Sequence, residues 1–462
     1  MIAPARQAAF GALVAIARGR VDLDAALDRA RESLSDGRDI ALVRELVTGT
    51  LRWQARLDWQ LTPLCRVPWR KLDLEVQTVL RLAAFQILEL DRVPVSAVVH
   101  DAVGLVRQAR KTSASGLVNA VLRRLAAGER APWPQAPADA SITTQAAALA
   151  VTGAHPSWLV ERWLARRDRA AVDAWLAFDN GLPPTTLRVN PLAGVTRDDV
   201  IAALAADGVA TAPCRYAPLG LVVTAGLAWQ SAAVRDGRAF IQDEGSQLAA
   251  LVAPVRPGHR VLDVCAAPGG KTLAYAAATG PTGRVVACDV RLRRVATLAA
   301  TVATGRATTV RTVAIDPAAA LPFAAVFDVV AVDAPCSGLG TVRRDPDIKW
   351  RRTPEDLRAF QARQLDLLDR AARVVAPGGA LVYTTCSTEP EENAEVVQGW
   401  HAAHPEFVPV SPAAGPHGDL LRRFVTESGT FATDAVRDGL EGYFGAVFVR
   451  GTRGRVPVAV VQ

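Results

Sequence analysis

The chain has 462 residues, half of them hydrophobic and 21% charged. That excludes global disorder and suggests about two to four packed domains. Its 53 basic and 46 acidic side chains leave a formal charge of +7, and residues 1–130 alone hold 20 basic against 14 acidic groups. This local excess fits either a polyanion partner, usually nucleic acid, or a solvated helical surface.

The first apolar stretch, Arg6 to Arg18, mimics a signal peptide but runs straight into charged, helix-period sequence without a cleavage site. No long apolar run is free of charge, proline and polar residues, so no membrane association is expected. Residues 1–128 predict a compact all-helical domain. Leu42, Leu46 and Leu51, the run Val79–Leu90, and Leu117, Val118, Val121, Leu122 and Leu125 recur at helical spacing. Residues 129–144 read as a linker, because Glu129–Asp139 holds three prolines.

Residues 145–235 predict a small α+β module, with helices at Trp158–Trp163 and Asp198–Ala206 and strands at Thr186–Asn190 and Gly220–Thr224. From 236 to 462, buried-type strands alternate with helices: Arg260–Cys265, Arg284–Asp289, Val310–Ile315, Phe327–Asp333 and Ala380–Cys386. A late strand is expected at Tyr443–Arg450. One helix is well signalled, with Thr353 as N-cap and Pro354 in its first turn. Leu357, Phe360, Leu365, Leu368, Ala372 and Val375 fall on one side, up to a stop at Pro377-Gly378-Gly379. This is an α/β Rossmann-like, mainly parallel sheet whose ligand belongs beyond the carboxyl ends of its strands.

Chemistry-bearing residues gather at those strand ends. The first strand leads into Asp263-Val-Cys265-Ala266-Ala267-Pro268-Gly269-Gly270-Lys271-Thr272. The two glycines let backbone approach a ligand at a helix N-terminus. A triphosphate-binding P-loop is excluded because its first glycine position is Cys265. Asp289 ends the second strand, placed for a ribose diol, and Asp316 ends the third, suited to the adenine end of the same nucleoside. The six cysteines form no C-x-x-C pair, so no metal site is expected, and free thiols suggest a reducing cytoplasm. Cys65, Cys214 and Cys288 read as small buried hydrophobes, and Cys265 as packing beside a cofactor. Cys336, in Asp333-Ala-Pro-Cys-Ser-Gly, and Cys386, in Thr384-Thr-Cys-Ser387, stand just past parallel strands and can face one crevice. The stretch Arg343, Arg344, Lys349, Trp350, Arg351 and Arg352 interleaves cations with an aromatic and is expected to meet RNA backbone. Arg188 and Asn190 are weaker candidates, and His155-Pro-Ser-Trp158 reads as packing.

In this order, D-V-C-A-A-P-G-G-K-T, D-A-P-C-S-G and T-T-C-S resemble the motifs of the RNA cytosine-C5 methyltransferases of the NOL1/NOP2/Sun family. Phe240–Gln247 and Thr341–Trp350 match as well, and the helical front half, with Gly116–Arg123, is similar to a NusB-like RNA-binding domain. The resemblance implies S-adenosylmethionine as cofactor, held by residues 265–271, Asp289, Asp316 and Asp333. It implies a ribosomal RNA partner, 16S given the NusB-like front, and a monomer is expected. By the same resemblance Cys386 is the nucleophile toward cytosine C6, Cys336 the group that assists release, and Asp333 a hydrogen-bond partner of the cytosine edge. Lys271 contacts the cytosine or Asp333. Order along the chain does not show which cysteine attacks. A departure is Asp345, where histidine is expected in many relatives.

Overall fold

The computed structural model describes residues 2–452. They form two compact units: residues 2–182 with Val342–Arg352, and Pro183–Thr341 with residues 353–452. The first unit is helical. Pro4 opens the first helix, Pro4–Ala17, where its missing N–H is no loss. Asp22 and Asp36 cap Leu23–Glu32 and Gly37–Arg52 through their carboxylates. Helix Gly37–Arg52 packs against Leu74–Glu89 at Gly49, where an added Cβ would sit 2.0 Å from the Phe85 ring. Leu46, Val47, Leu80, Val106, Val118 and Leu122 are fully buried in the shared core. Gln60 anchors the proline-rich segment by bonding both the N–H and the carbonyl of Ala131.

Three helices, Ile142–Thr152, Ser157–Leu164 and Arg169–Asn180, also belong to this unit. The division at Leu182 therefore falls inside the span expected to form one α+β module. His155, buried between them, bonds the Gly153 carbonyl at 2.6 Å and Asp179 at 3.3 Å. Burial holds it below its ordinary pKa.

The second unit carries two sheets. Strands β1 (Thr186–Val189), β2 (Ala210–Pro213), β3 (Gly220–Ala225) and β4 (Ala239–Ile241) form an antiparallel sheet in the order β2-β3-β1-β4. β4 joins this small sheet although it follows residue 236, the expected start of the catalytic domain. The larger sheet contains β5 (Arg260–Val264), β6 (Arg284–Asp289), β7 (Val310–Ala314), β8 (Phe327–Asp333), β9 (Val375–Thr385), β10 (Phe407–Val410), β11 (Phe431–Ala432) and β12 (Phe444–Arg450). Its order is β10-β12-β9-β8-β5-β6-β7, with β11 paired to β12. β9-β8-β5-β6-β7 are parallel; β12 runs antiparallel to β9. From β5 the chain winds one way through β6 and β7, then returns to β8 on the other side. That reversal opens a crevice at the carboxyl ends of β5 and β8.

One sequence expectation is corrected. The helix capped by Thr353 ends at Ala372, and Val375 begins β9. Pro377-Gly378-Gly379 lies inside that strand, where the register against β8 shifts. Gly378 has φ +79°, and a Cβ on Gly379 would come within 2.9 Å of the Phe327 carbonyl. These glycines allow a bulge, so they do not stop the helix. No helix among the described residues is long and apolar enough to cross a membrane.

Candidate active site

The cofactor side is built from the β5 turn. Cys265 (φ +64°) and Gly269 (φ +114°) turn the chain back into helix Gly270–Thr279. The Ala266 N–H bonds the Cys288 carbonyl on β6, and Arg294 Nη2 donates to the Ala267 carbonyl at 2.8 Å. Arg294 also stands 3.4 Å from Asp289 Oδ2. Asp289 is 1% exposed, yet that oxygen accepts no hydrogen bond. A buried carboxylate oxygen with an open acceptor position at the end of the second parallel strand fits a ribose hydroxyl. The donor set therefore suits a nucleoside cofactor. Asp316, by contrast, is exposed and accepts from the Ala318 N–H at 2.8 Å, which leaves its other oxygen available. Behind the turn, Asp263 is 1% exposed and accepts from the Thr272 hydroxyl. Burial, reinforced by Asp333 and Asp289, pushes it up to about 7 despite the Thr272 bond and Lys271.

On the other side of the crevice Lys271 Nζ lies 2.7 Å from Asp333 Oδ2. Thr384, paired with Asp333 across β8 and β9, donates its hydroxyl to Oδ1 at 3.0 Å. Burial alone would lower Lys271. Asp333, Cys386 and Asp263 outweigh it, so the ammonium is held above its ordinary pKa.

Cys336 and Cys386 stand with sulfurs 3.3 Å apart, both half-buried. The hydrogen bond shared with Cys386, then burial and the charge of Cys386, push the Cys336 thiol well above its ordinary value. The other four thiols are raised by burial, Cys65 to about 11 and Cys214, Cys265 and Cys288 to about 12. None of those is a ready nucleophile.

What holds the two cysteine turns together was not visible in the motifs. Glu392, fully buried, accepts from the Ser337 N–H at 2.7 Å, the Ser337 hydroxyl at 2.5 Å and the Ser387 hydroxyl at 2.6 Å. Each serine follows one of the cysteines, so one carboxylate ties both turns. Asn393 adds a bond to the Ser387 carbonyl at 2.8 Å, and Gln364 one to the Pro335 carbonyl at 2.9 Å. Gly340 joins Cys386 to the Gly442 loop. Its N–H donates to the Cys386 carbonyl, and a Cβ there would meet the Gly442 oxygen at 2.0 Å. The available signal was Glu391-Glu392-Asn393, three polar residues so soon after Cys386, just before helix Ala394–Ala403.

The expected RNA contacts fare differently. Residues 342–352 belong to the helical unit. Lys349 is fully buried, donating to the Arg52 carbonyl at 3.1 Å and to Asn180 Oδ1 at 3.4 Å, and burial lowers it to about 7. Trp350 donates its indole N–H to the Leu51 carbonyl at 2.6 Å. Arg343 stacks on Phe178 and bonds the Leu182 carbonyl, while Arg351 pairs with Asp347 at 2.8 Å. Arg344 and Arg352 are half-buried. Arg188 is 5% exposed and Asn190 1%, both inside the second unit. Lys349, Arg188 and Asn190 are therefore corrected from surface contacts to buried side chains. The remaining arginines are partly spent on protein partners. Asp345, beside Asp347 and Asp24, is pushed by burial and those neighbours up to about 7.

Comparison with known proteins completes the picture. Residues 249–415 match the family 16S rRNA methyltransferase RsmB/F, residues 3–127 the NusB family, and residues 155–230 the ferredoxin-like domain of RsmF/B-like methyltransferases. The chain is 33% identical to the ribosomal RNA small subunit methyltransferase B of Pseudomonas putida, over 90% of this chain and 94% of that one. It is 32% identical to the protein of the same name from Pseudomonas syringae, over 86% of each. The crystal structure of PH0851 shares the fold with a TM-score of 0.80 at 24% identity, covering 97% of this chain and 99% of that one.

Proposed function

Because the chain belongs to the 16S rRNA methyltransferase RsmB/F family, we propose that it methylates C5 of one cytosine in 16S rRNA through a covalent adduct between Cys386 and C6. The observation that carries the reading is the 3.3 Å separation of the Cys336 and Cys386 sulfurs beside the Lys271–Asp333 pair. C5 and C6 are adjacent ring atoms, so a nucleophile at one and a base at the other must almost touch.

S-adenosylmethionine, the cofactor, supplies an electrophilic methyl group when bound. Residues 265–271 and Asp289 would hold it at the β5 turn. Asp333, held by Lys271 and Thr384, accepts from the exocyclic amine of a flipped-out cytosine. Addition of the Cys386 thiolate to C6 would break the C5–C6 π bond and leave its electron pair at C5, the atom that would take the methyl group as the bond to the departing sulfonium sulfur breaks. The hydrogen bond shared with Cys386, burial, and the charges of Cys386 and Glu392 all raise Cys336. Formation of the C–S bond removes the Cys386 contributions and leaves those of burial and Glu392, so Cys336 gives up its proton, to solvent, more readily once the adduct exists. It then takes the C5 proton; those electrons restore the C5–C6 double bond and expel Cys386 as thiolate. One carboxylate, Glu392, keeps both sulfurs in reach throughout.

Bisulfite sequencing of total RNA from cells with and without the gene tests the reading. Loss of a single 5-methylcytosine in 16S rRNA is the expected result. Loss from a tRNA or 23S site instead would keep the chemistry and replace the substrate. No change in any RNA would favour a noncatalytic RNA-binding role for the NusB-like unit.

A further inference from the structure

The second unit contains a cavity of about 200 Å³ apart from the cysteine crevice. It lies between β1, helix Glu244–Leu251 and helix Gly270–Thr279. Its walls are mostly apolar, with Leu251, Leu273, Ala277 and Ala278 among them. Along β1 the side chains alternate. Leu187 and Val189 enter the core of the small sheet, and Arg188 points to the opposite face, where it lines this cavity.

Arg188 is 5% exposed, and its Nη1 has no hydrogen-bond partner. No carboxylate among the described residues pairs with it, and burial lowers it to about 10. Gln247 lines the same cavity, and its Oε1 is also buried without a partner. Asn190 next door is fully used, donating to the Gly237 and Gly305 carbonyls. Burial holds His417 below its ordinary value, so Arg188 is the one charged group in the lining at neutral pH. A buried guanidinium without a counter-charge is costly, and natural folds rarely keep one without use.

We infer that this cavity binds a small organic monoanion, a carboxylate on an apolar body of about one ring, with the carboxylate on Arg188. The size argument is direct. A dry apolar cavity of about 150 Å³ holds benzene, whereas drug-sized ligands need about 300 Å³ or more. The planar guanidinium matches a carboxylate in two-point geometry, and the apolar walls disfavour a strongly hydrated phosphate. This site is independent of the methyl-transfer chemistry.

The test is calorimetry and saturation-transfer NMR on the full-length protein with benzoate, using benzamide as its neutral isostere. Benzoate is expected to bind at least tenfold more tightly than benzamide. Arg188→Met should abolish that preference with Tm unchanged or higher, because it removes an unpaired buried charge. Ala278→Phe, which fills the cavity and keeps Arg188, should abolish binding of both. Equal binding of benzoate and benzamide, benzoate binding that survives either variant, or its displacement by millimolar inorganic phosphate would each overturn the proposal.

Discussion

The cysteine turns and the basic stretch 342–352 are near neighbours in sequence, yet they use their side chains in opposite ways. At Cys336 and Cys386 the supporting polar groups, Ser337, Ser387, Glu392 and Asn393, are buried and bonded, and the two cysteines themselves are half-buried. In 342–352 the cations and the indole themselves turn inward: Lys349 onto backbone carbonyl and amide oxygens, Trp350 onto Leu51, Arg343 onto Phe178. A reactive group is recognised by what surrounds and frees it. A charge in a motif is recognised as structural by the partners that consume it.

The strongest way to break this contrast is at the sulfurs. Cys386→Ala is expected to lower methyl transfer on the order of 10⁴-fold or more. Cys336→Ala should instead accumulate a protein–RNA adduct that survives denaturing electrophoresis. If Cys386→Ala traps the adduct and Cys336→Ala does not, the roles are reversed.

Next in size is the carboxylate that ties the turns. Glu392→Ala strands the Ser337 N–H and two hydroxyls, so it should destabilise the protein by about 2–4 kcal/mol. It should also lower kcat about 10²-fold with KM for S-adenosylmethionine little changed. An unchanged kcat in folded protein would show that the sulfurs hold their spacing without it.

For the basic stretch, Lys349→Met should destabilise by about 1–3 kcal/mol, since the Arg52 carbonyl and Asn180 lose their donor. The salt dependence of RNA binding should not change. A phosphate contact would instead reduce the slope by about one.

The smallest expected effect is at Asp345. Its folded pKa of about 7 lies above the usual carboxylate value. The protonated form is therefore the one the fold favours. Its contribution is fully present below about pH 4 and is lost as pH rises through 7. Asp345→Asn should raise Tm by a few degrees at pH 8 and leave it unchanged near pH 4. A Tm that falls at pH 8 would mean that the carboxylate serves an ionised role.

Much of the architecture was legible. The alternation of strand and helix after residue 236 marked the parallel sheet, because buried parallel strands are apolar on both faces. The strand-end motifs marked the crevice, because the ends of parallel strands are where backbone turns and polar side chains collect. The helix stop at Pro377-Gly378-Gly379 misled, since the same residues that end a helix also permit a bulge, and only pairing with Phe327 decides between them. The contact boundary at Leu182 was not legible either, although residues 155–230 match one domain model. It depends on which apolar faces meet, and local periodicity does not specify the partner.

By itself the sequence determined that two cysteines, a lysine and an aspartate stand at neighbouring strand ends, because strand periodicity and turn chemistry are local properties. Only the tertiary structure decided which groups serve them and which are spent elsewhere. Glu392 reaches two serines fifty residues apart, Lys349 disappears into the helical unit, and Arg188 faces a cavity without a counter-charge. Burial and hydrogen-bond pairing are set by contacts between distant segments. They convert residue types that look alike in sequence into a clasp, a strut and a binding group.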